Sequence, residues 1–136
     1  MHCIYFDNPA TSWPKPPCMI EAMIDFNNNI GANPGRSAHR LSIEAARVLF
    51  NTRDSIASLL GAKDPDTIVF TRNATEGLNI VIHGLLKPGD HVITTSMEHN
   101  SVMRPLRSKE KEGVELTIIK CSSEGEVDPE DISRAI

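Results

Sequence analysis

The strongest constraint on this chain is a change of hydrophobic period near residue 61. Over residues 42–60 the apolar side chains recur at helical spacing. Ala45, Ala46, Leu49, Ile56, Leu59 and Leu60 fall on one stripe, and Gly61 stands where a helix C-cap is needed. Beyond Gly61, short apolar runs alternate with helical segments. Residues 67–71, 91–95 and 114–119 read as strands. Residues 75–83, closed by Gly84, and 101–112, closed by Gly113, read as helices, with a turn at Lys87-Pro88-Gly89-Asp90. Strands joined through helices pair in parallel, and helices must then cover the sheet. The expected class is α/β, a mostly parallel sheet with flanking helices.

The first 40 residues follow a different pattern. Ile4-Tyr5-Phe6 stops at the turn signal Asp7-Asn8-Pro9, and prolines at 9, 14, 16 and 17 keep the next stretch irregular. Pro16-Pro17 offers a helix start for residues 18–28, with Met19, Ile20, Met23, Ile24 and Phe26 at helical spacing. A Gly/Pro/Asn-rich loop runs from Gly31 to His39. The domain reading is therefore an arm, helix and loop over 1–40 and the layered part over 41–136. Asp128 and Pro129 start a last helix, and the sequence stops about two turns later. A helix without a returning strand reads as a chain cut inside a crossover, the other reading being a terminal helix that caps the sheet.

Composition enters as exclusion. Among 136 residues, 18 Asp and Glu against 14 Lys and Arg leave a formal charge of −4, with no basic run to track a nucleic acid. No apolar stretch approaches the roughly 18–20 residues of a membrane span, and the N-terminus lacks a signal-peptide pattern, so a cytoplasmic location is expected. Cys3, Cys18 and Cys121 have no metal-ligand spacing and read as reduced thiols, with no metal expected.

Ligands in open α/β sheets bind beyond the carboxyl ends of the strands. The first loop there is Thr71-Arg72-Asn73-Ala74-Thr75-Glu76-Gly77. With Thr75 as N-cap, the outward backbone N–H groups and the hydroxyl suit a phosphate, and plain capping is the alternative. The second is Ser96-Met97-Glu98-His99-Asn100-Ser101. The imidazole of His99 can stack on a planar ring, shuttle a proton, or simply sit on a surface loop. Together the two loops suit a cofactor with both a phosphate and a ring. Secondary candidates are Glu98, as a general base or a complement to the helix dipole, and Arg36 and His39, for an anionic substrate or a neighbouring subunit. His83 and His91 read as structural.

Four motifs carry a resemblance: Ile4-Tyr5-Phe6-Asp7-Asn8, Gly31-Ala32-Asn33-Pro34-Gly35-Arg36, Asn73-Ala74-Thr75-Glu76-Gly77-Leu78-Asn79, and Ser96-Met97-Glu98-His99-Asn100-Ser101. In order and spacing they resemble the class V aminotransferase-fold enzymes, in particular the cysteine desulfurase and selenocysteine lyase branch. The resemblance runs from Ile4 to Ile136 and covers about the first third of a family member. It implies the N-terminal part of a PLP-dependent transferase fold of the aspartate aminotransferase-like type I, and pyridoxal 5'-phosphate (PLP) as cofactor. Thr75 and the backbone at Ala74 would hold the cofactor phosphate and His99 would stack on the pyridine ring. The implied reaction converts L-cysteine to L-alanine and leaves the sulfur on an enzyme cysteine, in a homodimer acting on cysteine or selenocysteine.

None of the lysines here matches the context of the family's Schiff-base Lys, and none of Cys3, Cys18 or Cys121 matches its nucleophile. The resemblance therefore implies no catalytic residue within these 136 residues and no activity for them alone. Pro9 and Ala38 depart from the branch's usual Ala and Gly. At a position needing positive φ, Ala38 would cost on the order of 1 kcal/mol. Two other readings remain open. One is a class V aminotransferase or lyase acting on another small amino acid, and the other is a non-catalytic binding module completed by a second chain.

Overall fold

The computed structural model describes residues 4–35 and 38–136, so Cys3, Arg36 and Ser37 lie outside the described residues. The chain divides into two compact units, Met1–Val69 and Phe70–Ile136.

In the first unit an irregular arm precedes two helices, and Ile4-Tyr5-Phe6 forms no strand. The Tyr5 hydroxyl lies 3.0 Å from the Asp7 carbonyl and 2.9 Å from that of Thr11, and its ring meets Trp13 edge-on. Helix α1 (Pro17–Asn29) starts on a proline at its first position, where the missing N–H costs nothing. Helix α2 (Arg40–Leu60) ends as expected on Gly61, whose φ of 69° is left-handed. His39 caps its start, its Nδ1 accepting from the Ser42 N–H at 3.3 Å. The buried Ser42 hydroxyl donates to the Asn33 carbonyl at 3.0 Å, which ties the Gly/Pro/Asn-rich loop to the helix. No described non-glycine residue has positive φ, so Ala38 carries none of the cost a left-handed position would impose.

The strand expected at 67–71 does not form. Pro65–Thr67 makes a single 3-10 turn, capped by the Asp64 carboxylate. Ile68 is extended, but no neighbouring edge pairs with it, and Val69 is 74% exposed. An apolar β-branched run only becomes a strand against a partner, and none of the described strands supplies one.

The second unit carries the sheet. Strands β1 (His91–Thr95) and β2 (Glu115–Ile119) pair in parallel, with His91 opposite Glu115 and Thr95 opposite Ile119. Helix α4 (Asn100–Lys111) connects them and packs on α3 (Ala74–Leu85) and β2. Ile82, Leu106, Val114 and Ile119 form the buried core, and full burial of a leucine such as Leu106 contributes about 2 kcal/mol. Helix α5 (Pro129–Ala135) starts as expected, with Asp128 accepting from the Glu130 N–H.

Two helix ends differ from the sequence reading. Asn73, not Thr75, is the N-cap of α3: its Oδ1 accepts from the Glu76 N–H at 2.9 Å. The Glu76 carboxylate does not return to the Asn73 N–H but accepts from the N–H of Arg72, one residue earlier, so the cap is one-sided. Gly84 does not close α3, which continues to Leu85. The chain turns extended at Leu86, with ψ 132°, and Pro88 then disfavours a return to helical geometry at Lys87.

Candidate active site

The site is built from the segments entering α3 and α4, both within the second unit. At α3, Asn73 as cap makes Thr75 the second residue of the first turn. The Ala74 and Thr75 N–H groups are left without intrahelical acceptors at the positive end of the helix, and the Thr75 hydroxyl has no hydrogen-bond partner among the described residues. Glu76 turns away from this corner. Its carboxylate accepts from the Arg72 N–H at 2.7 Å and from the Arg72 guanidinium at 3.0 Å, and these bonds hold it below the usual carboxylate range.

At α4 the entering loop is fastened at several points. The Ser96 N–H donates to the Ile119 carbonyl at 2.8 Å, and the Cys121 N–H donates to Ser96 Oγ at 2.9 Å. The Thr95 hydroxyl donates to the half-buried Glu98 carboxylate at 3.0 Å, so Glu98 ties the loop together. His99 is itself the N-cap of α4, its Nδ1 accepting from the Ser101 N–H at 3.1 Å. Its ring is thus held at one edge.

Thr75 and His99 line one cavity of about 280 Å³, with Asn79, Ser101, Arg104 and Pro105 completing the wall. Asn100 lines it too; Asn100 and Ser101 belong to the loop the sequence points to, whereas Asn79, Arg104 and Pro105 are residues the sequence reading missed. Asn79 follows Thr75 at i,i+4, and Arg104 and Pro105 lie one turn into α4, so helical spacing was the available signal. The Asn79 side chain donates to the Thr75 carbonyl at 2.8 Å and braces the corner from the next turn. Arg104 forms no ion pair among the described residues and contributes a positive charge to the wall.

The secondary candidates lie elsewhere. Glu98 does not line the cavity, His39 caps α2, and Arg36 falls outside the described residues. His91 Nε2 lies 2.8 Å from the Thr117 hydroxyl across the strand pair, the structural role expected of it. The His83 side chain makes no hydrogen bond among the described residues, and its charge acts on the Glu112 carboxylate. A larger cavity, about 690 Å³, opens beside Cys121, but Glu126, Asp128 and Asp131 line it and make it unsuited to an anion. No group of metal-ligating side chains occurs among the described residues.

This geometry has parallels among known proteins. The aminotransferase class-V family matches residues 4–136. The chain belongs to that family. A probable cysteine desulfurase of Pyrococcus abyssi is 41% identical over 138 residues, covering 98% of this chain and 34% of the relative. The cysteine desulfurase IscS of Vibrio atlanticus is 39% identical over 140 residues, with the same shares covered. Among solved structures, the apo cysteine desulfurase of Thermococcus onnurineus superposes with a TM-score of 0.85 at 37% identity, over 97% of this chain and 34% of that one. The chain therefore has the α/β fold of the corresponding part of the solved cysteine desulfurases and spans about one third of the length of its relatives. No helix among the described residues is long and apolar enough to cross a membrane.

Proposed function

We propose that this chain is the cofactor-gripping N-terminal portion of a PLP-dependent cysteine desulfurase, with residues 41–136 as the first part of its PLP-binding domain. The observation that carries this reading is the single cavity lined by Thr75 and His99. One wall has a free hydroxyl and two unpaired helix N–H groups, the donor set a phosphate takes. The other has an imidazole held by one edge, with its faces left for a ring. These residues fit PLP.

In the complete enzyme, Thr75 and the Ala74 backbone would hold the cofactor phosphate, and His99 would stack on the pyridine ring. When bound, PLP supplies the electron sink for breaking the carbon–sulfur bond of cysteine. By the resemblance, a catalytic cysteine elsewhere in the complete enzyme would take the sulfur as a persulfide, leaving alanine. The protein's part within this chain is grip and orientation. The resemblance supports a homodimer with cysteine or selenocysteine as substrate.

Pyridoxamine 5'-phosphate keeps the ring and phosphate but cannot condense with lysines, so it tests the grip alone. Titrated into ¹⁵N-labelled protein, it is expected to shift the Ala74 and Thr75 amides and the His99 ring. T75A weakens the binding roughly tenfold, the loss of one charge-assisted hydrogen bond. Shifts confined to other residues would remove the assignment. Supplied with PLP and cysteine, the 136 residues alone are expected to form no alanine. Turnover abolished by T75A or H99A would overturn that part of the reading.

A further inference from the structure

Two donors converge on one ring nitrogen of His99. The Ser101 backbone N–H lies 3.1 Å from Nδ1, and the Ser101 hydroxyl oxygen lies 2.9 Å from the same atom. A hydroxyl can donate or accept, so it fixes nothing by itself. A backbone N–H can only donate, and Nδ1 must then present its lone pair. A proton on Nδ1 would set two N–H groups against each other and uncap α4. In the neutral ring the proton is left on Nε2, which has no partner among the described residues.

We propose that the first turn of α4 fixes neutral His99 as the Nε2–H tautomer, with Ser101 as the positioning residue. In that form His99 offers the cavity a hydrogen-bond donor through Nε2. Stacking and donating to an acceptor remain open to it, whereas acting as a base through Nε2 would mean giving up the cap. The tautomer assignment stands without any cofactor, and only its consequence for a bound ring rests on the function proposed above.

The test uses the intact ¹⁵N-labelled chain, without ligand, at about pH 8, above the imidazole range. Ring ¹⁵N shifts report which nitrogen carries the proton. Scalar coupling through the hydrogen bond, between the Ser101 amide nitrogen and Nδ1, reports the cap directly. The expected result is an unprotonated-type shift at Nδ1 together with that coupling, both retained in S101A, which keeps the amide and removes the hydroxyl. A protonated Nδ1, an unprotonated Nδ1 without the coupling, or a tautomer lost in S101A each overturns the proposal. Failure of pyridoxamine 5'-phosphate to bind would leave this result untouched and would count only against the cofactor reading.

Discussion

Glu76 accepts from the Arg72 guanidinium and from the Arg72 backbone N–H, and both bonds favour its ionised form. Its pKa in the folded chain is therefore below that in the unfolded chain. The stability it contributes is present above the ordinary carboxylate value and is lost as pH falls through the lowered folded value. E76Q is expected to lower the melting temperature slightly at pH 7. It is expected to match the parent at a pH low enough to protonate both states, and melting curves across acid pH check this. The cap of α3 lies two residues before the one expected from sequence. Ser, Thr and Asn are all good caps, and here it is the Asn73 side chain that reaches the Glu76 N–H. Thr75 stayed in the site because a shift of two residues leaves it within the first turn. The histidine caps at 39 and 99 had no such signal, since histidine is not among the residues that caps usually select.

Helices and strands differed in how much the sequence revealed. The amphipathic stripe of α2 and its closing glycine are local facts, readable over a few turns. A strand is fixed by what lies beside it. Residues 91–95 and 115–119 found each other in parallel register, whereas 67–71 carry the same kind of composition and form no strand. The left-handed cap at Gly61 gives a quantitative test. Nothing lies within 4 Å of an added Cβ there, so G61A introduces backbone strain without a clash. It should cost about 1 kcal/mol, seen as a lower urea midpoint with unchanged slope. A larger loss, or a changed slope, would mean that Gly61 does more than end the helix.

At the scale of the whole molecule, the second unit leaves an apolar face open. Leu78, Val81 and Leu85 on α3 are exposed, and with Val92, Ile93 and Val102 they line a cavity of about 290 Å³. Open apolar surface of this kind associates or takes up apolar dyes. The chain is expected to bind such a dye and to sediment as larger species as concentration rises, and V81K/L85K should reverse both. A monodisperse parent that leaves the dye dark would contradict this. The candidate site was legible from sequence because its two anchors sit at the starts of α3 and α4, where local rules apply. Open apolar surface is expected from sequence for such a part of a larger fold, but which helix face carries it was not readable, because what covers a helix is decided far away in sequence. The fastening of Ser96 to Ile119 and Cys121 has a kinetic consequence. A ring held to the sheet waits in its working position, so a ligand meets no gate. Association should follow a single exponential whose rate rises linearly with ligand concentration, without the plateau that a slow loop rearrangement would impose.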